Sequence, residues 1–407
     1  MGKMNLHILS EKPENSSTCY LCKTTLEEYL SNLPEHYDQY EIQRSIDNHN
    51  RYLDRLIDTV LNQGHIPPIV LVVDKENSQK PNNSNDCLQM QNFNILDGLQ
   101  RTYRLKIIWD TVILFQEYLK KGKEFDNESP FSLSKKYSKY LYQINSSSNL
   151  LYAIVNFHQK NGQSFEKIFK NEQWFEVWTN LSVKEQVDKM LILNAGHKQV
   201  QPAHQLELLF LNLIPYLQES KQLTLVREKD KTPLVHSRER KYGQFHFSHV
   251  ISAILSFIKA EPVATNSYLV EKLQKEQYDS EKLADFFGYS FFEELITFLL
   301  NLDEVSKENE IWLGKESTLI GIFGALGFYR KQKHIPIKTL FEKVIDKLKT
   351  TNLLNFKSYN QEIKSLDASK KNIGAVYRKA VFSGFKDFLM NIDNDNYTSI
   401  SWHEHFK

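Results

Sequence analysis

Over Asn50–Asn62 the apolar residues Leu53, Leu56, Ile57, Val60 and Leu61 recur at the spacing of one helix face. Gly64 stops that helix, and Pro67-Pro68 holds the next stretch extended. The period then changes. Ile69–Asp74 is a run of β-branched apolar residues that predicts a buried strand, and Gln91–Leu96 predicts a second. The two suggest a long hairpin around the polar loop Lys75–Asp86. From Gly98 to about Leu119 the helical period returns, with Leu105, Ile108, Trp109, Val112, Ile113 and Leu114 at apolar positions.

Outside this block the pattern is less uniform. Residues 1–24 read as a loose polar lead-in containing Pro13, Asn15, Ser16 and Ser17. Thr25–Leu33 predicts a short helix before Pro34, and Tyr40–Arg44 a short extended piece. Residues 123–185 hold aromatic-rich short elements, and Asn180-Leu181-Ser182 suits the cap of a helix from Val183. Beyond Gln199 the pattern is mostly helical, with helices at 203–218, 246–259, 267–275, 289–302, 337–350 and 371–391. The expected fold is α+β: a small mixed sheet with helices over 25–215, then a helical region over 216–407.

Composition bounds the function classes. The 407 residues carry a net charge of +1, which argues against wholesale coating of nucleic acid and leaves room for a local basic groove. No apolar run is long enough to span a bilayer, and the first residues lack the apolar core of a secretory signal, so a cytoplasmic protein without a membrane partner is expected. Cys19 and Cys22 have the spacing of half a zinc site, but the third and last cysteine, Cys87, stands alone in a polar stretch; two reduced thiols and no zinc are expected.

The chemistry concentrates at Asp97-Gly98-Leu99-Gln100-Arg101, where a strand turns tightly into a helix. A helix start presents unpaired N–H groups and the positive end of its dipole, which suits an anion. Arg101 and Arg104 add guanidinium groups one turn apart, Asp97 can hold a water or Mg²⁺, and Gln100 can orient a water. Asp-Gly before a helix is also ordinary turn chemistry.

The turn has companions in a fixed order: Gln43-Arg44, the helix at 50–62, Gly64-His65-Ile66-Pro67-Pro68-Ile69, the turn itself, and Leu193-Asn194-Ala195-Gly196. This series resembles the DGQQR-motif domain of the GmrS and SspE class, related to the ParB and sulfiredoxin fold. The resemblance spans roughly residues 25–210. It implies a ParB-like domain that binds and hydrolyses nucleotide, with Mg²⁺, or senses modified DNA in bacterial phage defence. By position it implies catalytic roles for Asp97, Gln100 and Arg101, and phosphate binding by Gln43, Arg44 and Gly98, with Asn194 matching more loosely; Arg104 joins the phosphate-binding set from its helical spacing to Arg101. The family's first Gln is Leu99 here, which removes one polar contact and weighs against hydrolysis more than against the fold. A non-enzymatic DNA-binding or regulatory module, or one subunit of a complex with a separate nuclease or modifying enzyme, is the alternative.

Other constellations are weaker. Arg238, Arg240 and Lys241, in the mixed-charge stretch Arg227–Lys241, suit a nucleic-acid backbone or a solvated loop equally. His246 and His249 are spaced for one helix face near His236, but no acid follows at ligand spacing, so core or capping histidines are expected. Trp174, Phe175 and Trp178 can stack a base, though such clusters are more often core. His334, His403 and His405 lack the partners of a metal-dependent nuclease, and no P-loop, GxSxG or HExxH motif occurs.

Overall fold

The first residues are not a lead-in but the centre of a sheet. In the computed structural model, which describes residues 2–40, 42, 55–80, 86–123, 125, 128–161, 165–194, 201–218, 222–276, 283, 290–350, 352–366 and 372–406, β1 (Met4–Glu14) and β2 (Ser17–Thr25) form an antiparallel hairpin. Glu14 pairs with Ser17 across Asn15-Ser16, and Asn15 takes a positive φ of 54°. A two-residue loop of this kind matches strand twist, so the polar residues mark a turn tip. Met4 and Leu6 alternate inward and are fully buried.

The chain divides into two compact units, Met1–His197 and Lys198–Lys407. In the first, the elements after the hairpin are α1 (Leu26–Ser31), α2 (Leu56–Leu61), β3 (Ile69–Val73), β4 (Ser78–Gln79), β5 (Cys87–Met90), β6 (Asn94–Asp97), α3 (Leu99–Lys120), α4 (Pro130–Gln143), α5 (Ser148–Asn161), α6 (Glu166–Phe169), β7 (Glu172–Thr179) and α7 (Val183–Asn194). The seven strands form one mixed sheet in the order β4-β5-β1-β2-β7-β3-β6. β3 runs parallel to β7, and the remaining pairs are antiparallel. The expected pairing of the two apolar strands is the β3–β6 pair. A register shift between Val70 and Leu71 leaves Leu96 of β6 unopposed just before the turn.

α1 and α3 close over this sheet. Tyr29 stacks on Phe93 and packs at a tilt against Phe175, and its hydroxyl bonds Thr102 Oγ1 at 2.8 Å, a buried polar link between the two helices. Cys19 and Cys22 lie three apart on β2 and therefore face opposite sides of it. Burial pushes both thiols up to about 12, which keeps them protonated at neutral pH.

The second unit is largely helical: α8 (Pro202–Leu209), α9 (Ile214–Leu217), α10 (Pro233–Glu239), α11 (Phe247–Lys259), α12 (Ser267–Lys275), α13 (Ser290–Val305), α14 (Glu316–Lys333), α15 (Ile337–Thr350), α16 (Phe356–Ser365), α17 (Ile373–Met390) and α18 (Trp402–His405). Its one described sheet is the parallel pair β8 (Thr224–Val226) and β9 (Gln244–His246). α14 was not marked by periodicity, because glycines interrupt its apolar face. At Gly327 an added Cβ would fall 2.0 Å from the Phe257 carbonyl oxygen of α11, so the two backbones meet directly. No helix among the described residues is long and apolar enough to cross a membrane.

Candidate functional site

At the turn, Asp97 ends β6 and Gly98 takes φ 97°, which leads directly into α3. A Cβ at Gly98 would crowd Ile69 at 3.3 Å and Arg101 Nη2 at 3.1 Å, so glycine serves both the positive φ and the tight fit. Leu99 is buried and anchors the helix start in the core. Its side chain fills space where the DGQQR pattern has a polar one.

Arg101 does not reach into solvent. Its Nη2 donates to Asp97 Oδ2 at 2.8 Å and to the Pro68 carbonyl at 3.2 Å, and its Nη1 to the Pro67 carbonyl at 3.2 Å. The same segment is held from the other side by Gln173, whose buried amide donates to the carbonyls of Ile66 and Pro67, each at 3.3 Å. Gly64–Pro68 and Asp97–Arg101, separate motifs in the sequence, are thus two halves of one brace. Asp97 and Arg101 satisfy each other through an i,i+4 ion pair, with side-chain exposures of 35% and 20%.

Arg104 points elsewhere. It borders a cleft of about 290 Å³ with Asn145, Ser146, Ser147 and Asn149, floored by Ile107 and Ile108. Ser147 caps α5: its hydroxyl accepts from Leu150 N at 3.2 Å and its carbonyl from Leu151 N at 3.1 Å. The start of a 14-residue helix therefore opens onto the cleft beside a guanidinium. The structure separates the two arginines that helical spacing had grouped.

The remaining expected residues are distributed as follows. Gln100 lies half-buried on the first turn of α3, and Asn194 ends α7. Gln43 and Arg44 lie outside the described residues, as does the start of the helix expected over 50–62. Trp174 is 48% exposed, packed edge-on against His65, while Phe175 and Trp178 are buried.

In the second unit Arg238 and Lys241 are exposed, but Arg240 is not available to nucleic acid. The mixed-charge stretch lies between β8 and β9 and carries α10, and this turns Arg240 inward. Its Nη2 meets Asp303 Oδ2 at 2.7 Å, Nη1 donates to the Glu310 carbonyl at 2.8 Å, and the guanidinium lies over Phe245. A buried cation of this kind is retained because it is paired.

The same folding buries the three histidines, as expected of core or capping residues, and gathers them with Glu207 and Arg227, which sequence spacing did not reveal. The rings of His236, His246 and His249 lie 4.9–6.2 Å apart and are buried. His246 Nε2 meets the Lys231 carbonyl at 3.0 Å, so it carries the proton, and Nδ1 accepts from Ser248 Oγ at 2.8 Å. Fully buried Glu207 accepts from Arg227 Nε at 3.2 Å and from Glu228 N at 2.9 Å. Burial holds His236 and His246 down to about 4 and pushes Glu207 up to about 7. The histidines are therefore neutral at pH 7. Both ring nitrogens of His246 are engaged, and no described group of three or more His, Cys, Asp or Glu is arranged to hold a metal. One sequence signal did point here: Glu207 is a lone acid inside the apolar run Leu206–Phe210.

No protein-family model, curated protein or solved structure matches the chain.

Proposed function

We propose that the first unit is a phosphate-recognition module that grips a nucleotide or a DNA backbone without hydrolysing it. The observation that carries this reading is the cleft where Arg104 borders the capped start of α5 beside the Ser147 hydroxyl. Guanidinium, hydroxyl and helix start each suit phosphate oxygens. The closed Asp97–Arg101 pair supports the non-hydrolytic form, because Arg101 already has three acceptors and Asp97 already has a cation. Placement in a bacterial defence or DNA-modification system, with a nuclease or modifying enzyme as a separate subunit, rests on the motif resemblance alone.

The test is binding of a short DNA duplex and of ATP with Mg²⁺, each titrated at several salt concentrations, together with phosphate release. Arg104→Ala is expected to weaken binding about tenfold and to flatten the salt slope by about one contact. Phosphate release is expected at background. Release that vanishes in Asp97→Ala or Arg101→Ala would establish the hydrolytic reading instead. Binding that ignores Arg104 would remove the site.

A further inference from the structure

The cavity beside the histidine cluster, of about 470 Å³, is lined by Glu228, Glu316, Thr232, Thr265, Ser248 and His249, with proline and leucine side chains at its walls. Its charge is one-sided. Among the described residues two carboxylates border it and no Lys or Arg does. Four cations of the surrounding elements are turned elsewhere. Arg227 is held by Glu207, Arg240 by Asp303 and Lys231 by Glu239, and Lys315 lies over the Tyr377 ring.

An acidic lining alone would be a solvated rim. His249 makes it more. It is 3% exposed, it lines the cavity, and its Nδ1 has no hydrogen-bond partner. The Gly314 backbone bonds the ring in a way that favours a proton, so the ring donates to that carbonyl. Burial keeps the ring neutral, and Nδ1 is then a bare acceptor. A buried acceptor left without a donor costs free energy that a bound donor would recover. Glu316 Oε1 takes one bond from Thr265 N at 2.9 Å, while a carboxylate can accept about four. The cavity is thus rich in acceptors, negative in charge and walled by apolar side chains.

We infer that this cavity binds an organic cation: a primary ammonium or a guanidinium group on a short aliphatic stem. The head would donate to His249 Nδ1 and the two carboxylates, and the stem would lie along the proline and leucine walls. Such a head occurs on free amines and on the side chains of lysine and arginine, and the geometry specifies the group they share.

Calorimetric titration of the full chain with butylammonium, butylguanidinium, 1-butanol and butyrate tests this. One or both cations are expected to bind saturably, at least tenfold more tightly than the alcohol or the acid. Which cation binds better distinguishes amine from guanidine sources. Glu228→Gln, Glu316→Gln and His249→Phe are each expected to weaken the cation about tenfold. Thermal melts accompany each variant, and where a buried substitution lowers the melting temperature the half-buried Glu316→Gln decides. Equal affinity for butanol and butylammonium, no saturable binding of either cation, or an unchanged cation affinity in Glu316→Gln would overturn the assignment.

Discussion

The Asp97–Arg101 turn and the His236–His246–His249 cluster are opposite cases of polar chemistry in one chain. The turn is conspicuous in sequence and half-exposed in structure, yet its charges are matched by the protein itself: carboxylate to guanidinium, guanidinium to two carbonyls. The cluster, counted with Glu207, is scattered across some forty residues of sequence, is buried, and leaves ring nitrogens of His236 and His249 unmatched. An acid and a base four residues apart across one tight turn meet each other first, because that pairing needs no tertiary structure. Groups brought together only by folding keep the valences that folding did not satisfy. A motif's visibility therefore measures how local its partners are rather than how reactive it is.

The largest expected effect lies beside the cluster. Asp303 receives Arg240 Nη2 and the Gly243 backbone N–H, each at 2.7 Å, with its side chain 1% exposed. Asp303→Ala leaves Arg240 buried and unpaired, and is expected to lower stability by about 3–5 kcal/mol in urea unfolding. The same removal at the turn, Asp97→Ala, leaves Arg101 with two carbonyls and some solvent, and should cost about 1 kcal/mol. Equal costs would mean that the two regions are not opposed in this way.

Next in size is acid sensitivity, which follows from the cluster alone. His236 and His246 are held down to about 4 against an ordinary 6.5. Between those values the unfolded chain binds two protons that the folded chain does not, so stability rises with pH and is lost as pH falls from 6.5 toward 4. Glu207 acts the other way: raised to about 7, it keeps a proton in the fold that the unfolded chain releases above its ordinary 4.5. Where the windows overlap, two histidines outweigh one carboxyl by about one proton, which gives a slope on the order of 1 kcal/mol per pH unit. His249, also held down by burial and by the neighbouring His246 and His236, steepens it. Denaturant unfolding followed from pH 7.5 to 4.5 should show this decline, and His246→Gln should flatten it. A flat profile in the wild-type chain would remove the claim that these rings are kept neutral.

The sequence displayed some of this architecture and hid the rest for identifiable reasons. Ile69–Val73 followed from its unbroken apolar run and α3 from Leu105, Ile108 and Val112 recurring on its buried side, while β6 overlaps the strand expected at Gln91–Leu96. β1 was concealed because its buried Met4 and Leu6 are followed by a largely exposed half rich in charge. α14 was concealed by the glycines that let it approach α11. At the site, Gly98 and the order of motifs were legible. The partner of Arg101 at Pro67 and Pro68 was not, since a backbone carbonyl thirty residues away leaves no side-chain signal. Arg240 read as a surface base because nothing local announces Asp303.

The smallest effects decide whether the turn is a brace. Gly98→Ala must place an L side chain at φ 97° with its Cβ 3.3 Å from Ile69, and is expected to cost about 1–2 kcal/mol. Arg101→Ala removes three hydrogen bonds at a site still partly open to water, so about 1 kcal/mol is expected. Arg104→Ala, bordering an open cleft, should change stability by less than about 0.5 kcal/mol. The contrast between the arginines is the sharp part. A brace predicts that Arg101→Ala lowers the melting temperature while leaving phosphate affinity nearly unchanged, and that Arg104→Ala does the reverse. Helical spacing alone, with both side chains on one ligand, predicts that the two variants lose affinity together. If they do, Arg101 must leave Asp97 when phosphate binds, and the turn is a ligand site held closed rather than a brace.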